Sequence, residues 1–176
     1  MAAREALREF QARLVDRLQT ARTSGVSASW LAVEADDAGY LLPLGQAGEI
    51  FPWTLPQPVP YTLPWFLGVA NLRGGLYGVV QLSAFAGGKT AVPLGEVARG
   101  QSRLVALNDA LEVNCALLVD RLAGLRGVEA FVTSEPPPEG SPGWQGDVYI
   151  DGAGRRWREI QLAALAQLPE FLSIGA

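Results

Sequence analysis

The sequence predicts an all-β fold built from small barrels, with one helix at the N-terminus. Short apolar runs recur between residues 29 and 166, and clusters of glycine and proline separate them. Residues 3–22 show a helical period. The 176 residues are 49% hydrophobic and 18% charged, a composition typical of chains that bury a core. Many short strands separated by turn residues favour one barrel or a pair of barrels.

The N-terminal helix is predicted within residues 1–25. Its apolar side chains recur every three or four residues and therefore share one face: Leu7, Phe10, Leu14 and Leu18. Gly25 follows where a helix commonly ends. We expect the apolar face to pack on the body of the protein, and a partner-binding arm is the alternative.

The strands of the first half come in order after Ser29. Apolar runs at 30–35 and 40–43 flank a turn signal at 36–39, and another short element follows at 45–51. The stretch 52–64 is rich in proline, so we expect a loop there. The runs 66–72 and 76–82 flank Arg73-Gly74-Gly75 and predict a hairpin with a Gly-Gly turn.

The second half repeats this style after a softer, glycine-rich stretch at 86–101, which we expect to be the junction between two sub-barrels with separate cores. The apolar runs at 102–107, 113–119 and 122–131 predict strands. A proline-rich loop follows at 134–143, and the chain closes with a hairpin and one or two helical turns at 161–166.

The residue inventory argues against an enzyme. The chain contains no histidine and one cysteine, Cys115, within an apolar run. His-dependent catalysis and His-ligated or multi-Cys metal sites are therefore excluded, and Cys115 is expected to be a buried core thiol. We expect no catalytic residue, no cofactor and no metal.

The charge argues against a nucleic-acid partner. The net charge is −4, and the thirteen arginines and Lys89 are scattered along the chain, whereas nucleic-acid binders usually carry a basic stripe. Residues 50–72 are uncharged and long enough to span a bilayer, but five prolines interrupt them. We expect a cytoplasmic protein with no direct membrane insertion.

One stretch carries a family resemblance. The sequence Gly68-Val69-Ala70-Asn71-Leu72-Arg73-Gly74, followed by Val79-Val80-Gln81-Leu82, resembles the signature of the CheW-like chemotaxis adaptor family. Glu49-Ile50 and the 116–122 stretch are similar to two further family segments, and the similarity extends over about residues 29–166. The N-terminal helix and the ending 167–172 are similar to the family's adaptors in type IV pilus (twitching motility) chemosensory systems. Gln81 stands where most members have Asp, a difference that we expect to alter partner choice.

The resemblance implies a fold and a function. It implies two packed five-stranded SH3-like barrels over 29–176 that act as a non-enzymatic scaffold. The implied partners are the regulatory domain of a CheA-type histidine kinase and the cytoplasmic tip of a chemoreceptor (methyl-accepting protein), so the protein would associate with membrane receptor arrays. The alternative function is a small stand-alone β-barrel that binds a ligand, unrelated to chemotaxis.

The resemblance also implies a partner-binding surface for the receptor and the kinase. Its candidate residues are Arg73, Asn71, Gly68, Val69, Gly74, Glu49, Ile50, Ala47 and Ala116. Arginine suits such a surface because its planar fork makes several directed hydrogen bonds at once. The alternatives remain that Arg73 is a solvated turn residue and that Ile50 belongs to the core.

Overall fold

The structure of the protein, a computed structural model, describes residues 2–24, 29–92 and 94–175. Within these residues the chain forms α-helices and β-strands in the following order: α1 (Ala2–Ser24), β1 (Ser29–Ala35), β2 (Ala38–Pro43), β3 (Ala47–Pro52), β4 (Phe66–Leu72), β5 (Gly75–Gln81), α2 (Leu82–Gly87), α3 (Glu96–Gln101), β6 (Arg103–Leu107), β7 (Cys115–Val119), β8 (Arg121–Gly127), β9 (Phe131–Glu135), β10 (Gln145–Asp151), β11 (Arg156–Ile160), α4 (Leu162–Leu165) and α5 (Pro169–Leu172). The predicted all-β class with an N-terminal helix is confirmed. The short helices α2, α3 and α5 were not predicted.

The strands form two sheets. One has six strands in the order β8-β1-β2-β11-β10-β9, and the other has five in the order β3-β6-β7-β5-β4. Neighbouring strands run antiparallel, except for the parallel pairs β2–β11 and β5–β7. The family resemblance implied five strands in each barrel, and the sixth arises because β9 pairs with the outer side of β10.

The two sheets repeat one arrangement. Aligning their orders matches β8-β1-β2-β11-β10 with β3-β6-β7-β5-β4, and the parallel pair then falls at the same place in both. A helix follows each of the matched strands β11 and β5, namely α4 and α2. The position of β9 is taken in the five-stranded sheet by Gln57, which makes a single bridge to Val69 of β4.

Among the described residues, alternation along the strands produces three apolar cores. In β1, Leu31 and Val33 face a core between the two sheets, whereas Trp30 and Ala32 face a core inside the six-stranded sheet. A third core, around Phe51 and other residues, lies inside the five-stranded sheet. We expected one core for each sub-barrel. The additional core exists because the central strands are apolar on both faces.

The helix α1 closes the six-stranded sheet through one aromatic side chain. Phe10 is buried with Trp30 and Phe131, and Leu14 packs partly against the same core. The guanidinium of Arg13 forms an ion pair with Asp147 at 2.5 Å. The helix therefore packs on the body of the protein, as expected. No helix of the described chain is both long and apolar enough to cross a membrane.

The burial of the α1 stripe is less complete than the sequence predicted. Leu7 is 47% exposed, so the expectation that it is buried was wrong. It lies one turn before Phe10, on the same side of the helix, but outside the core that Phe10 enters. The side chain of Leu18 lies outside the described residues.

The softer stretch 86–101 does not separate the two sheets. It connects β5 to β6, which belong to the same five-stranded sheet. The chain passes between the sheets after β2 and after β7 instead, so the six-stranded sheet combines the first two strands with the last four. The frequent glycines of this stretch suggested a junction between two sub-barrels. In the structure they lie instead in a connection between two strands of the same sheet.

An ion-pair network lies at one end of the six-stranded sheet. The carboxylate of Glu34 is largely buried and accepts hydrogen bonds from Arg121 and, at 2.5 Å, from Arg155. Its pKa is lowered, chiefly by the hydrogen bond from Arg121; burial opposes this effect, and Arg155 adds to it. The Arg155 guanidinium also stacks on Trp157 at 4.5 Å, so charge and apolar packing are combined here.

Candidate partner-binding surface

The β4–β5 hairpin presents Arg73 at its tip. Arg73 and Gly74 both have positive φ, +49° and +81°, as required by the two-residue turns that match the twist of a hairpin. The side-chain oxygen of Asn71 accepts a hydrogen bond from the Gly74 amide at 3.0 Å. The predicted hairpin is present, but its turn is Arg73-Gly74 and Gly75 already belongs to β5.

The tip of this hairpin meets the opposite edge of the five-stranded sheet. The strands β3 and β4 are the two edges in the strand order, yet the Arg73 guanidinium lies 2.5 Å from the Glu49 carboxylate of β3. The sheet is therefore curved enough for its edges to approach each other, and this ion pair spans the seam. Both side chains are exposed, by 77% for Arg73 and 42% for Glu49.

Two apolar side chains of the same two segments are also exposed. Ile50 follows Glu49 and is 39% exposed, so it is a partly accessible residue and not a core residue. Leu76 pairs with Asn71 across the hairpin and is 62% exposed. Leu76 was not among the candidates selected from the sequence, and the alternation of β5 does not reveal its exposure, because Val80 on the same face of the strand is buried. We call Glu49, Ile50, Arg73 and Leu76 the seam surface.

Ala116 does not lie on this surface. It is fully buried in the core of the five-stranded sheet, on the central strand β7. Its side chain therefore cannot contact a partner in this fold, and its inclusion among the candidate contacts is corrected. Ala47 is partly buried and packs against the core between the sheets.

Gly68 and Val69 have a structural explanation. Gly68 is buried with φ +135°, and a Cβ atom there would overlap the Gln57 carbonyl oxygen. Val69 and Gln57 exchange two backbone hydrogen bonds of 2.7 and 2.9 Å. The glycine is therefore needed so that the proline-rich segment can cross β4 closely.

Gln81 also has a structural role. Its side chain is buried and makes two hydrogen bonds with the backbone of Val92, donating at 3.0 Å and accepting at 2.9 Å. An aspartate has no amide donor and a shorter side chain, so it could not make this pair. Gln81, which departs from the family pattern, thus holds the connection between α2 and α3 against β5.

The thiol of Cys115 is buried and therefore protected from reaction. Burial raises the pKa of the Cys115 thiol to about 12, because the thiolate would lie in the apolar core. The expectation of a buried core thiol is confirmed. Among the described residues, no three His, Cys, Asp or Glu side chains are grouped closely enough to hold a metal ion.

Comparison with known proteins decides the family. A model of the CheW-like domain matches residues 29–170. The chain belongs to the CheW-like family. The match begins at the first strand, so α1 lies outside the matched residues.

Two further comparisons, with one sequence and one solved structure, are in line with this assignment. The chain is 30% identical to protein PilI of Pseudomonas aeruginosa over 141 residues, which cover 77% of this chain and 74% of PilI. A crystal structure of the scaffolding protein TtCheW from Thermoanaerobacter tengcongensis superposes with a TM-score of 0.61 at 17% identity. That superposition covers 77% of this chain and 89% of TtCheW, and it shows the shared fold. The resemblance to the CheW-like family inferred from the N-L-R-G hairpin is confirmed, and so is the expected likeness to PilI-type members of that family.

Proposed function

We propose that this protein is a non-enzymatic adaptor that couples chemoreceptors to a CheA-type histidine kinase in a cytoplasmic array controlling type IV pilus motility. Membership of the CheW-like family supports the adaptor role, and the similarity to PilI supports the pilus system. The observation that carries the proposal is the seam surface. Two segments of the family resemblance, distant in sequence, meet there through the Arg73–Glu49 ion pair.

The chemistry of the seam surface suits protein recognition. An exposed ion pair beside partly exposed aliphatic side chains offers a partner both directed hydrogen bonds and apolar contact. Arg73 keeps several donors beyond the one that faces Glu49, so it can bind a partner's carboxylates or carbonyl groups. The barrel interiors are filled by buried side chains, which disfavours the alternative of a ligand held inside a barrel.

The test is calorimetric titration with two partners, a CheA-type kinase regulatory domain and a fragment containing the receptor tip. Arg73→Ala is expected to weaken binding by about 1–3 kcal/mol, typical of a lost charged hydrogen bond. Its melting temperature should stay close to that of the wild type, because the side chain is exposed. Arg73→Lys should restore part of the affinity, and Arg4→Ala on the exposed face of α1 is the matched control.

A charge swap separates the two possible roles of Arg73. Glu49→Lys alone should weaken binding without unfolding the chain. If Arg73 binds the partner directly, combining Glu49→Lys with Arg73→Glu should not restore the affinity, although it restores an ion pair across the seam. Wild-type affinity of Arg73→Ala for both partners would make Arg73 a solvated turn residue. No binding by the wild type to either partner would contradict the adaptor proposal itself.

A further inference from the structure

A second surface lies on the six-stranded sheet and, unlike the seam surface, carries an excess of basic side chains. It is a depression of about 480 Å³ with three guanidinium groups and one carboxylate in its lining. The charged residues are Arg155, Arg156, Arg158 and Asp37. The lining is thus net positive on a chain whose net charge is −4. Tyr40 and Val148 supply aromatic and aliphatic surface between the charges.

The strand β11 sets the spacing of two of these arginines. Arg156 and Arg158 are two residues apart on one strand, so they point to the same face, about 6.7 Å from each other. The parallel neighbour β2 places Tyr40 opposite Arg158. Burial raises the pKa of Tyr40, and the positive charge of Arg158, its neighbour in the strand pairing, acts in the opposite direction.

The positive charge of the depression is incompletely neutralised. Arg155 shares the single Glu34 carboxylate with Arg121. Arg156 forms an ion pair of 2.6 Å with Glu135, but both side chains are more than half exposed. Arg158 donates to the neutral side chain of Gln145 at 2.9 Å and forms no ion pair within the described part of the chain. At least one guanidinium charge therefore remains for a ligand.

We propose that this depression binds an extended acidic segment of a partner protein. Alternate side chains of an extended segment lie on one side at the spacing of Arg156 and Arg158, so two carboxylates can meet two guanidinium groups. A volume of about 480 Å³ exceeds the size of a single ion and accommodates several side chains. The site lies on the six-stranded sheet and the seam surface on the five-stranded sheet, so the inference does not depend on the proposed function.

The probe is a fluorescein-labelled peptide of alternating glutamate and threonine, titrated into the full chain at low salt and followed by fluorescence anisotropy. The double variant R156Q/R158Q should bind it at least about tenfold more weakly, because two charge-assisted contacts are lost. The matched control R4Q/R8Q removes the same charge from the exposed face of α1 and should stay within about twofold of the wild type. Arg158→Lys keeps the positive charge but loses the planar, forked guanidinium. Its affinity for the peptide should therefore lie between that of the wild type and that of R156Q/R158Q.

Localisation of the peptide provides a second readout. Amide chemical-shift changes should cluster at residues 38–40 and 154–158 and should be small at the seam surface. Equal weakening by R156Q/R158Q and R4Q/R8Q would overturn the proposal, because only net charge would then matter. Wild-type affinity of R156Q/R158Q would overturn it as well. Binding of oligothymidylate at the same amides as tightly as the peptide would reassign the surface to nucleic acid.

Discussion

The two sheets share one strand order but differ sharply in charge. The strands of the six-stranded sheet contain nine charged residues: Glu34, Arg121, Arg126, Glu135, Asp147, Asp151, Arg156, Arg158 and Glu159. The strands of the five-stranded sheet contain two, Glu49 and Arg103. The same topology is therefore stabilised in two different ways.

Polar side chains hold much of the six-stranded sheet together. The indole nitrogen of Trp30 donates to Glu159 at 2.5 Å, and that of Trp157 donates to Asp151 at 3.1 Å. These bonds let large aromatic residues fill the barrel while their polar atoms remain paired. The five-stranded sheet relies instead on apolar packing and on the close backbone crossing at Gly68. Changes in backbone shape should therefore reduce the stability of the five-stranded sheet most. Changes in charge or pH should instead reduce the stability of the six-stranded sheet most.

The largest effect is expected from Gly68→Ala in the five-stranded sheet. A side chain there is strained by φ +135° and overlaps the Gln57 carbonyl oxygen, which is backbone and cannot move aside cheaply. The free energy of unfolding should fall by about 3 kcal/mol. Urea unfolding measures this loss, and hydrogen exchange at Gln57 and Val69 should become faster because their mutual bonds are broken.

The control for this prediction is Gly45→Ala. A Cβ atom at Gly45 would have no heavy atom within 4 Å beyond its chain neighbours, so the substitution should change stability by less than about 0.5 kcal/mol. Equal effects of the two substitutions would mean that the crossing at Gly68 contributes little and that the five-stranded sheet does not depend on it.

The fold was predictable where local patterns determine it. Short apolar runs, the turn residues at 36–37 and the N-L-R-G hairpin indicated most strands and turns correctly. The run at 122–131 was an exception, because it contains most of β8, one 3₁₀ turn and the start of β9, and β9 continues to Glu135 within the predicted loop. The division into sheets was not predictable from these patterns, because β2 pairs with β11 from the other end of the chain. Long-range pairing leaves no periodic signal, and the glycines at 86–101 consequently suggested a boundary that the topology does not have.

The next effect concerns α1, which closes only the six-stranded sheet. Phe10 is buried against the aromatic core, so Phe10→Ala should lower the free energy of unfolding by about 2 kcal/mol. Leu7→Ala is the matched control on the same stripe and should cost less than about 0.5 kcal/mol, since Leu7 is 47% exposed. Thermal melts of both variants measure the difference. A larger loss for Leu7→Ala would restore the pattern that the sequence predicted.

A smaller effect, and a pH-dependent one, is expected for Glu34→Gln. Loss of the charged hydrogen bonds should lower the free energy of unfolding by about 1 kcal/mol at neutral pH. This value already allows for the partial exposure of the two arginines. The folded-state pKa of Glu34 is lowered, so its contribution is present above the unfolded value of about 4.3 and is lost as the pH falls through the folded value. Denaturant unfolding from about pH 7 to pH 3 should show the two proteins converging in acid. A constant difference across that range would contradict the ionic origin of the stabilisation.

The candidate site was predictable in part, and the reason differs among its residues. Arg73 and Glu49 were selected separately from motifs, and only the curvature of the sheet brings them together. Ala116 was selected because it lies in a family segment, but the central strand β7 is buried on both faces, so Ala116 lies in the core. Gln81 was expected to affect partners, whereas a pairing with the Val92 backbone, invisible in sequence, gives it a structural role. Motifs locate the segments of a site, but burial in the folded chain determines which residues of a segment are accessible to a partner protein.

The smallest stability effect is expected at the seam, and it tests what closes the five-stranded sheet. If apolar packing closes it, the Arg73–Glu49 pair contributes little, because both groups are exposed to water and screened by salt. A double-mutant cycle of Arg73→Ala and Glu49→Ala should therefore give a coupling energy below about 1 kcal/mol, decreasing further at high salt. The same cycle applied to Glu34 and Arg155 should give a larger coupling, since that carboxylate is largely buried. A seam coupling larger than that of the Glu34 pair would reverse the comparison, because the five-stranded sheet would then depend on the Arg73–Glu49 pair more than the six-stranded sheet depends on its network.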